Sequence, residues 1–111
     1  MTAPADPTPA DRDRALPVYA SYPDLRDKRV VITGGGSGIG SELVTAFAGQ
    51  GARVWFLDIA DAPAQALVAA LGASRHAPHF MHCDLTDLDA LAPTFAAIEH
   101  EAGGIDILLN N

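Results

Sequence analysis

The chain has 111 residues, enough for one small domain, and nearly half of them are apolar, so a core can form. A formal net charge of −7, with Lys28 the only lysine, argues against nucleic-acid or anionic-membrane binding, and no apolar run reaches the length of a membrane span. Cys83 is the only cysteine, which rules out an intramolecular disulfide and fits a reducing, cytoplasmic setting.

Residues 1–24 differ from the rest. Pro4, Pro7, Pro9, Pro17 and Pro23 punctuate a run of Ala, Asp and Arg, as expected of a disordered or loosely attached tail. It has no apolar segment of the kind a secretory signal needs. The folded domain is expected over 25–111.

The first strand is expected at Arg29–Thr33, β-branched and apolar like a strand covered on both faces. It runs into Gly34-Gly35-Gly36-Ser37-Gly38-Ile39-Gly40, with five glycines in seven positions. Glycine tolerates positive φ and lets another group approach the backbone closely. From Ile39 the apolar residues step helically through Leu43 and Phe47, and the helix should run from Ile39 to Gln50 and stop at Gly51. The loop therefore meets a helix N-terminus, where free N–H groups and the helix dipole favour an anion. A pyrophosphate is the natural guest, and the plainer alternative is a structural glycine turn. The common G-x-G-x-x-G fingerprint is not matched, and no Lys follows the glycines as a P-loop requires.

A second strand is expected at 53–57, ending in Asp58. A helix should follow with Asp61 as N-cap and Pro63 in its first turn, ending near Gly72. A third strand is expected at 79–83. A third helix should open on Thr86-x-x-Asp89, a variant capping box, and carry the stripe Leu88, Leu91, Phe95, Ile98 as far as Gly103-Gly104. A fourth strand is expected at 105–109. This β-α-β-α-β-α-β alternation implies a parallel sheet with right-handed crossovers and strand order 3-2-1-4, the first half of a Rossmann-type doubly wound α/β fold. Ligand should bind at the carboxyl ends of the strands.

Several residues cluster at those ends. Asp58 can accept hydrogen bonds from both adenosine-ribose hydroxyls and would repel a 2′-phosphate. Neither Gly35-Gly36-Ser37 nor Ile59 offers a cation to hold that phosphate, so the expected cofactor is NAD rather than NADP. The alternative is an exposed strand-end aspartate. Asp84 could accept from an adenine amino group with Leu85 against the ring, or simply cap the next helix. Asn110-Asn111 could lock neighbouring strands or line the cofactor. His76, His79, His82 and Cys83 suggest a metal cluster at first glance, but His79 and His82 face opposite sides of a strand and no second ligand pair exists, so no metal is expected. Ser37 has no histidine placed as a base, so no nucleophilic role is expected for it.

Thr33-Gly34-x-x-x-Gly38-Ile39-Gly40 resembles the T-G-x-x-x-G-x-G cofactor signature of the short-chain dehydrogenase/reductase family. Asp58, Asp84-Leu85 and Asn110-Asn111 resemble, in turn, its NAD-selecting acid, its adenine-site dipeptide and the start of its N-N-A-G motif. The resemblance spans Leu25 to Asn111. It implies an NAD site built from Gly34, Ser37, Gly38, Ile39, Gly40, Asp58, Ile59, Asp84, Leu85 and Asn111. It also implies a small-molecule alcohol or aldose substrate and a homo-oligomer for the full-length form. Within the family, Tyr22-Pro-x-Leu25, 28–40, 56–61 and 83–85 are most similar to bacterial NAD-dependent D-xylose 1-dehydrogenases, which implies oxidation at the anomeric carbon of a pentose to a lactone.

The family's catalytic Ser and Tyr-x-x-x-Lys have no counterpart here. Tyr19 and Tyr22 are followed four residues on by Pro23 and Arg26, and Lys28 precedes the first strand. No catalytic residue is therefore expected in this chain. The expectation is the cofactor half of a sugar dehydrogenase, as a fragment or an interrupted reading frame. The alternative is a non-catalytic nucleotide-binding remnant.

Overall fold

The computed structural model describes residues 20–111. It contains four strands, β1 (Arg29–Thr33), β2 (Arg53–Asp58), β3 (His79–His82) and β4 (Ile107–Leu109), and three helices, α1 (Gly38–Gly49), α2 (Asp61–Ala70) and α3 (Leu88–Ala102). All strands are parallel, in the order β3-β2-β1-β4. This is the expected α/β arrangement, with β1 and β2 central.

The two faces of the sheet make two cores. Val30, Ile32, Val54 and Phe56 point to one face, where Val44 and Ala48 of α1 and Ala64 of α2 cover them. Val31, Trp55 and Leu57 point to the other, with Cys83 and Ile98 of α3. The alternation follows from the period of two along a strand. It explains why β1 and β2 read as continuous apolar runs: each successive side chain meets a helix on one face or the other.

Residues 1–19 of the expected tail lie outside the described residues. Ala20 to Leu25 are attached to the end of α1: Gln50 donates from Nε2 to the Ala20 carbonyl (2.9 Å), and its Oε1 accepts from the Tyr22 amide (2.8 Å). A 3-10 turn at Pro23–Leu25 then leads to β1.

Helix α1 differs from expectation by a single residue at each end and strand β3 by a single residue at its last, and three further boundaries differ for a side-chain reason. The helix α2 begins at Asp61 with Ala60 as N-cap, because Asp61 turns its carboxylate to His82 instead of its own helix amides. The N-cap of α3 is Asp87, whose Oδ1 accepts from the amides of Asp89 (3.1 Å) and Ala90 (3.3 Å). Thr86 cannot serve there because its hydroxyl donates to Asp84. Pairing in β4 starts only at Ile107, since the Asp106 side chain is committed to Arg29. The stop at Gly103 is as expected: it sits at φ 80° and its amide closes on the Glu99 carbonyl at 2.9 Å.

Candidate dinucleotide-binding site

The strand β1 ends at the carboxyl edge of the sheet, and the turn to α1 is held by its neighbours. The amides of Gly34 and Gly35 donate to the Leu57 carbonyl at 2.8 and 3.2 Å. Gly34 and Gly38 have φ of 65° and 58°, values that side chains rarely adopt. Three glycines here have no room for a Cβ. On Gly35 it would lie 2.5 Å from Phe56 Cβ, on Gly36 2.9 Å from Asp58 Oδ2, and on Gly40 1.7 Å from the Gly34 carbonyl oxygen. The last contact presses the first turn of α1 directly onto the β1 turn.

Above the helix the situation reverses. A Cβ on Gly38 would meet nothing within 4 Å. Ser37, the N-cap, makes no side-chain capping bond, so the first amides of α1 point outward unsatisfied by the helix. Ile39 and Ile59 flank this opening and are 74% and 60% exposed. An anion lying across the loop would meet free N–H groups at the positive end of a helix dipole, with two apolar side chains beside it.

Asp58 closes the other side. Its Oδ2 accepts from the Gly36 amide (2.9 Å), and its Oδ1 accepts from the amides of Ile59 (2.7 Å) and Ala60 (3.0 Å). Burial opposes charge on this carboxyl and is the largest single influence. The amides of Ala60, Gly36 and Ile59, with His82 nearby, outweigh it and hold its pKa below the ordinary value. The carboxylate is thus ionised, fixed in direction, and retains lone pairs for further donors.

Next along the edge, a cleft of about 180 Å³ is lined by Gly34, Leu57, Asp58, Ile59, Cys83, Asp84, Leu85 and Thr86. Asp84 Oδ1 accepts from both the hydroxyl (2.7 Å) and the amide (2.9 Å) of Thr86, and these bonds lower its pKa. Asp84 therefore shapes the turn into α3 without being the helix cap. The Asn111 amide donates to Thr33 Oγ1 (3.0 Å), and its Nδ2 donates to the Gly34 carbonyl (3.0 Å). The Thr33 hydroxyl in turn donates to the Leu109 carbonyl at 3.4 Å. Asn111 and Thr33 so tie the end of β4 to the glycine turn. Thr33, 5% exposed, opens the glycine signature but is not among the expected site residues; its hydroxyl is what joins β4 to the turn.

His76, His79, His82 and Cys83 do not converge. His79 stacks on Trp55, His76 contacts Asp27, and His82 contacts Asp61; no group of three metal-ligating side chains is found among the described residues. Larger clefts exist elsewhere. The largest of them near a cation, about 400 Å³, lies at the opposite edge of the sheet between Tyr22, Arg26, Gly51 and Arg75.

A family model described as short chain dehydrogenase matches residues 28–111. The chain belongs to the short-chain dehydrogenase family. It is 53% identical over 92 residues to the D-xylose 1-dehydrogenase of Caulobacter vibrioides, covering 83% of this chain and 36% of that protein. It is 45% identical over 93 residues to a "probable galactose dehydrogenase" of Rhizobium meliloti, with the same two coverages of 83% and 36%. Among solved structures, a short chain dehydrogenase from Burkholderia cenocepacia in complex with NADP superposes with a TM-score of 0.70 at 33% identity, covering 76% of this chain and 35% of that one. The chain thus spans little more than a third of the length of these family members. No helix among the described residues is long and apolar enough to cross a membrane.

Proposed function

We propose that this chain forms the NAD-binding half of a cytoplasmic dehydrogenase acting on an aldose, D-xylose or a sugar like it. The observation that carries the cofactor reading is Asp58: an ionised carboxylate, held by three backbone amides beside the glycine loop, with no Lys or Arg in 34–37 or at Ile59 and Ala60. The amides of Ser37 to Gly40, at the uncapped start of α1, would hold the pyrophosphate. Asp58 accepts from the ribose hydroxyls, Ile59 packs at the ribose, and Asp84-Leu85 form the adenine wall. Gly34 and Asn111 keep the floor of the site in register. When bound, the cofactor would supply a hydride acceptor for oxidation of the sugar carbon.

The sugar reading draws on the relatives, which are named for D-xylose and galactose. The neighbour solved with NADP belongs to the same family, so the choice between NAD and NADP rests on Asp58 itself. A 2′-phosphate about 4 Å from this carboxylate is repelled by about 4 kcal/mol at an effective dielectric of 20. Screening at this open edge reduces that figure, leaving a preference for NAD of about a hundredfold.

The test uses the full-length, homo-oligomeric enzyme that carries this chain. We expect aldose oxidation with kcat/KM for NAD far above that for NADP, and Asp58→Ala to remove most of the difference. Equal use of the two cofactors by the unmutated enzyme contradicts the assignment. A different reading, a nucleotide-binding protein without turnover, is favoured for the 111-residue chain alone, since Tyr19 and Tyr22 are followed by no Lys four positions on.

A further inference from the structure

At the carboxyl edge, His82 and Asp58 end adjacent strands as directly paired residues of β3 and β2. His82 Nδ1 lies 2.7 Å from Asp61 Oδ1, at the first residue of α2. That contact fixes the ring by one nitrogen, and no hydrogen bond among the described residues engages Nε2. Both side chains of the pair are more than half exposed. The groups facing His82 are all acidic: Asp58 from β2, Asp61 from α2 and Asp84 just past the end of β3 itself.

Among the described residues, the cationic side chains lie at the other edge. Arg29 and Arg53 open β1 and β2, Arg26 and Lys28 precede β1, and Arg75 is bonded to Asp27. Of the other histidines, His76 contacts Asp27, His79 opens β3 and His100 lies in the last turn of α3, all toward the amino edge. Among the described residues, His82 is therefore the one side chain beside Asp58 that can become positive.

We infer that His82, clamped by Asp61 next to Asp58, is a specificity-determining residue that sets how strictly the site rejects a phosphate on the adenosine ribose. Neutral His82 leaves the 2′ position facing only carboxylates. Protonated His82 places a cation there with a free Nε2–H to donate. Acid is what makes an imidazole cationic, so rejection of NADP relaxes on acidification. Asp61 holds the ring by Nδ1 and so orients Nε2. This rests on Asp58 serving the ribose.

The test is equilibrium binding of NAD and NADP to the 111-residue chain by calorimetry at pH 8.0 and 5.5, in the unmutated protein, His82→Gln, Asp61→Asn and Asp58→Ala. The 2′-phosphate has its own ionisation near pH 6, so acidification changes NADP binding in every variant, and the readout is the difference between variants rather than the pH response of any one. The expected result is an NADP-to-NAD affinity ratio that rises on acidification by about fivefold more in the unmutated protein than in His82→Gln, the scale of one exposed charge pair. Asp61→Asn should lie between the two. A pH response of His82→Gln equal to that of the unmutated protein overturns the inference. If Asp58→Ala abolishes the preference for NAD while His82→Gln changes nothing, this inference falls and the ribose assignment stands. If Asp58→Ala has no effect, or neither dinucleotide binds, both fall.

Discussion

The amide of Gly36 donates to Asp58 Oδ2 at 2.9 Å, and a Cβ on Gly36 would stand only 2.9 Å from that same oxygen. One contact thus joins the glycine loop to the carboxylate proposed to meet the ribose. Gly36→Ala would press a methyl against the carboxylate and disturb one of the three amide bonds that fix its direction. We expect this substitution to weaken NAD binding at least tenfold while leaving the far-ultraviolet circular dichroism spectrum unchanged, because the clash is with a side chain at an open edge and not with the core. Calorimetric titration checks it.

Two other glycines offer a matched pair. On Gly40 a Cβ would stand 1.7 Å from the Gly34 carbonyl oxygen, whereas on Gly49 it would meet nothing within 4 Å. Gly40→Ala must separate α1 from the β1 turn and should destabilise by about 3 kcal/mol or more, as overpacking against rigid backbone does. Gly49→Ala should stabilise by about 0.5–1 kcal/mol through helix propensity and a more restricted unfolded chain. Urea unfolding midpoints of the two variants should move in opposite directions.

Thr33 carries the bond between β4 and the glycine turn. Thr33→Val keeps the volume and removes the hydroxyl, leaving the Asn111 amide without its partner. The expected cost is about 1–2 kcal/mol, with faster hydrogen exchange at Gly34 and Asn111. Unchanged exchange there would mean that the bond contributes nothing to the turn.

Acid should unfold the protein through a small set of carboxylates. Bonding by Arg75 and His76 lowers the pKa of Asp27, and Arg29, through side chain and backbone, lowers that of Asp106. Thr86 lowers that of Asp84. At Asp58 burial acts in the opposite sense, but three amides prevail. Carboxyls depressed in the folded state add stability above the unfolded value, near pH 4, and that stability is lost as pH falls through their folded values. Urea midpoints should hold level between pH 5 and 7 and drop below about pH 4. Asp106→Asn should lower the plateau and flatten the drop, since its partner Arg29 then has no carboxylate to lose.

Much of this arrangement is legible in the order of residue types. The β-branched runs at 29–33 and 53–58 belong to strands with a helix on each face, and period-two burial follows from that. The glycine loop and Asp58 declare themselves because a close approach and a strand-end acid need particular residues. What the chain order conceals is competition among polar side chains. Thr86 and Asp87 are both plausible caps until the Thr86 hydroxyl is seen on Asp84. Asp61 looks like a cap until His82, remote in sequence, takes its carboxylate. Pro93 sits inside α3 with no visible signal around it. It removes one helical hydrogen bond, and the buried stripe ending at Ile98 keeps the helix in place.

The central claim is that the dinucleotide binds at the carboxyl edge, over the glycine loop and beside Asp58. The most direct test is a titration of the isotopically labelled chain with NAD, followed by amide chemical shifts. The account predicts that the largest changes fall on Gly34 to Gly40, Asp58, Ile59, Asp84 and Leu85, and saturate together. Changes confined to the opposite edge, at Arg26, Gly51 and Arg75, would contradict it.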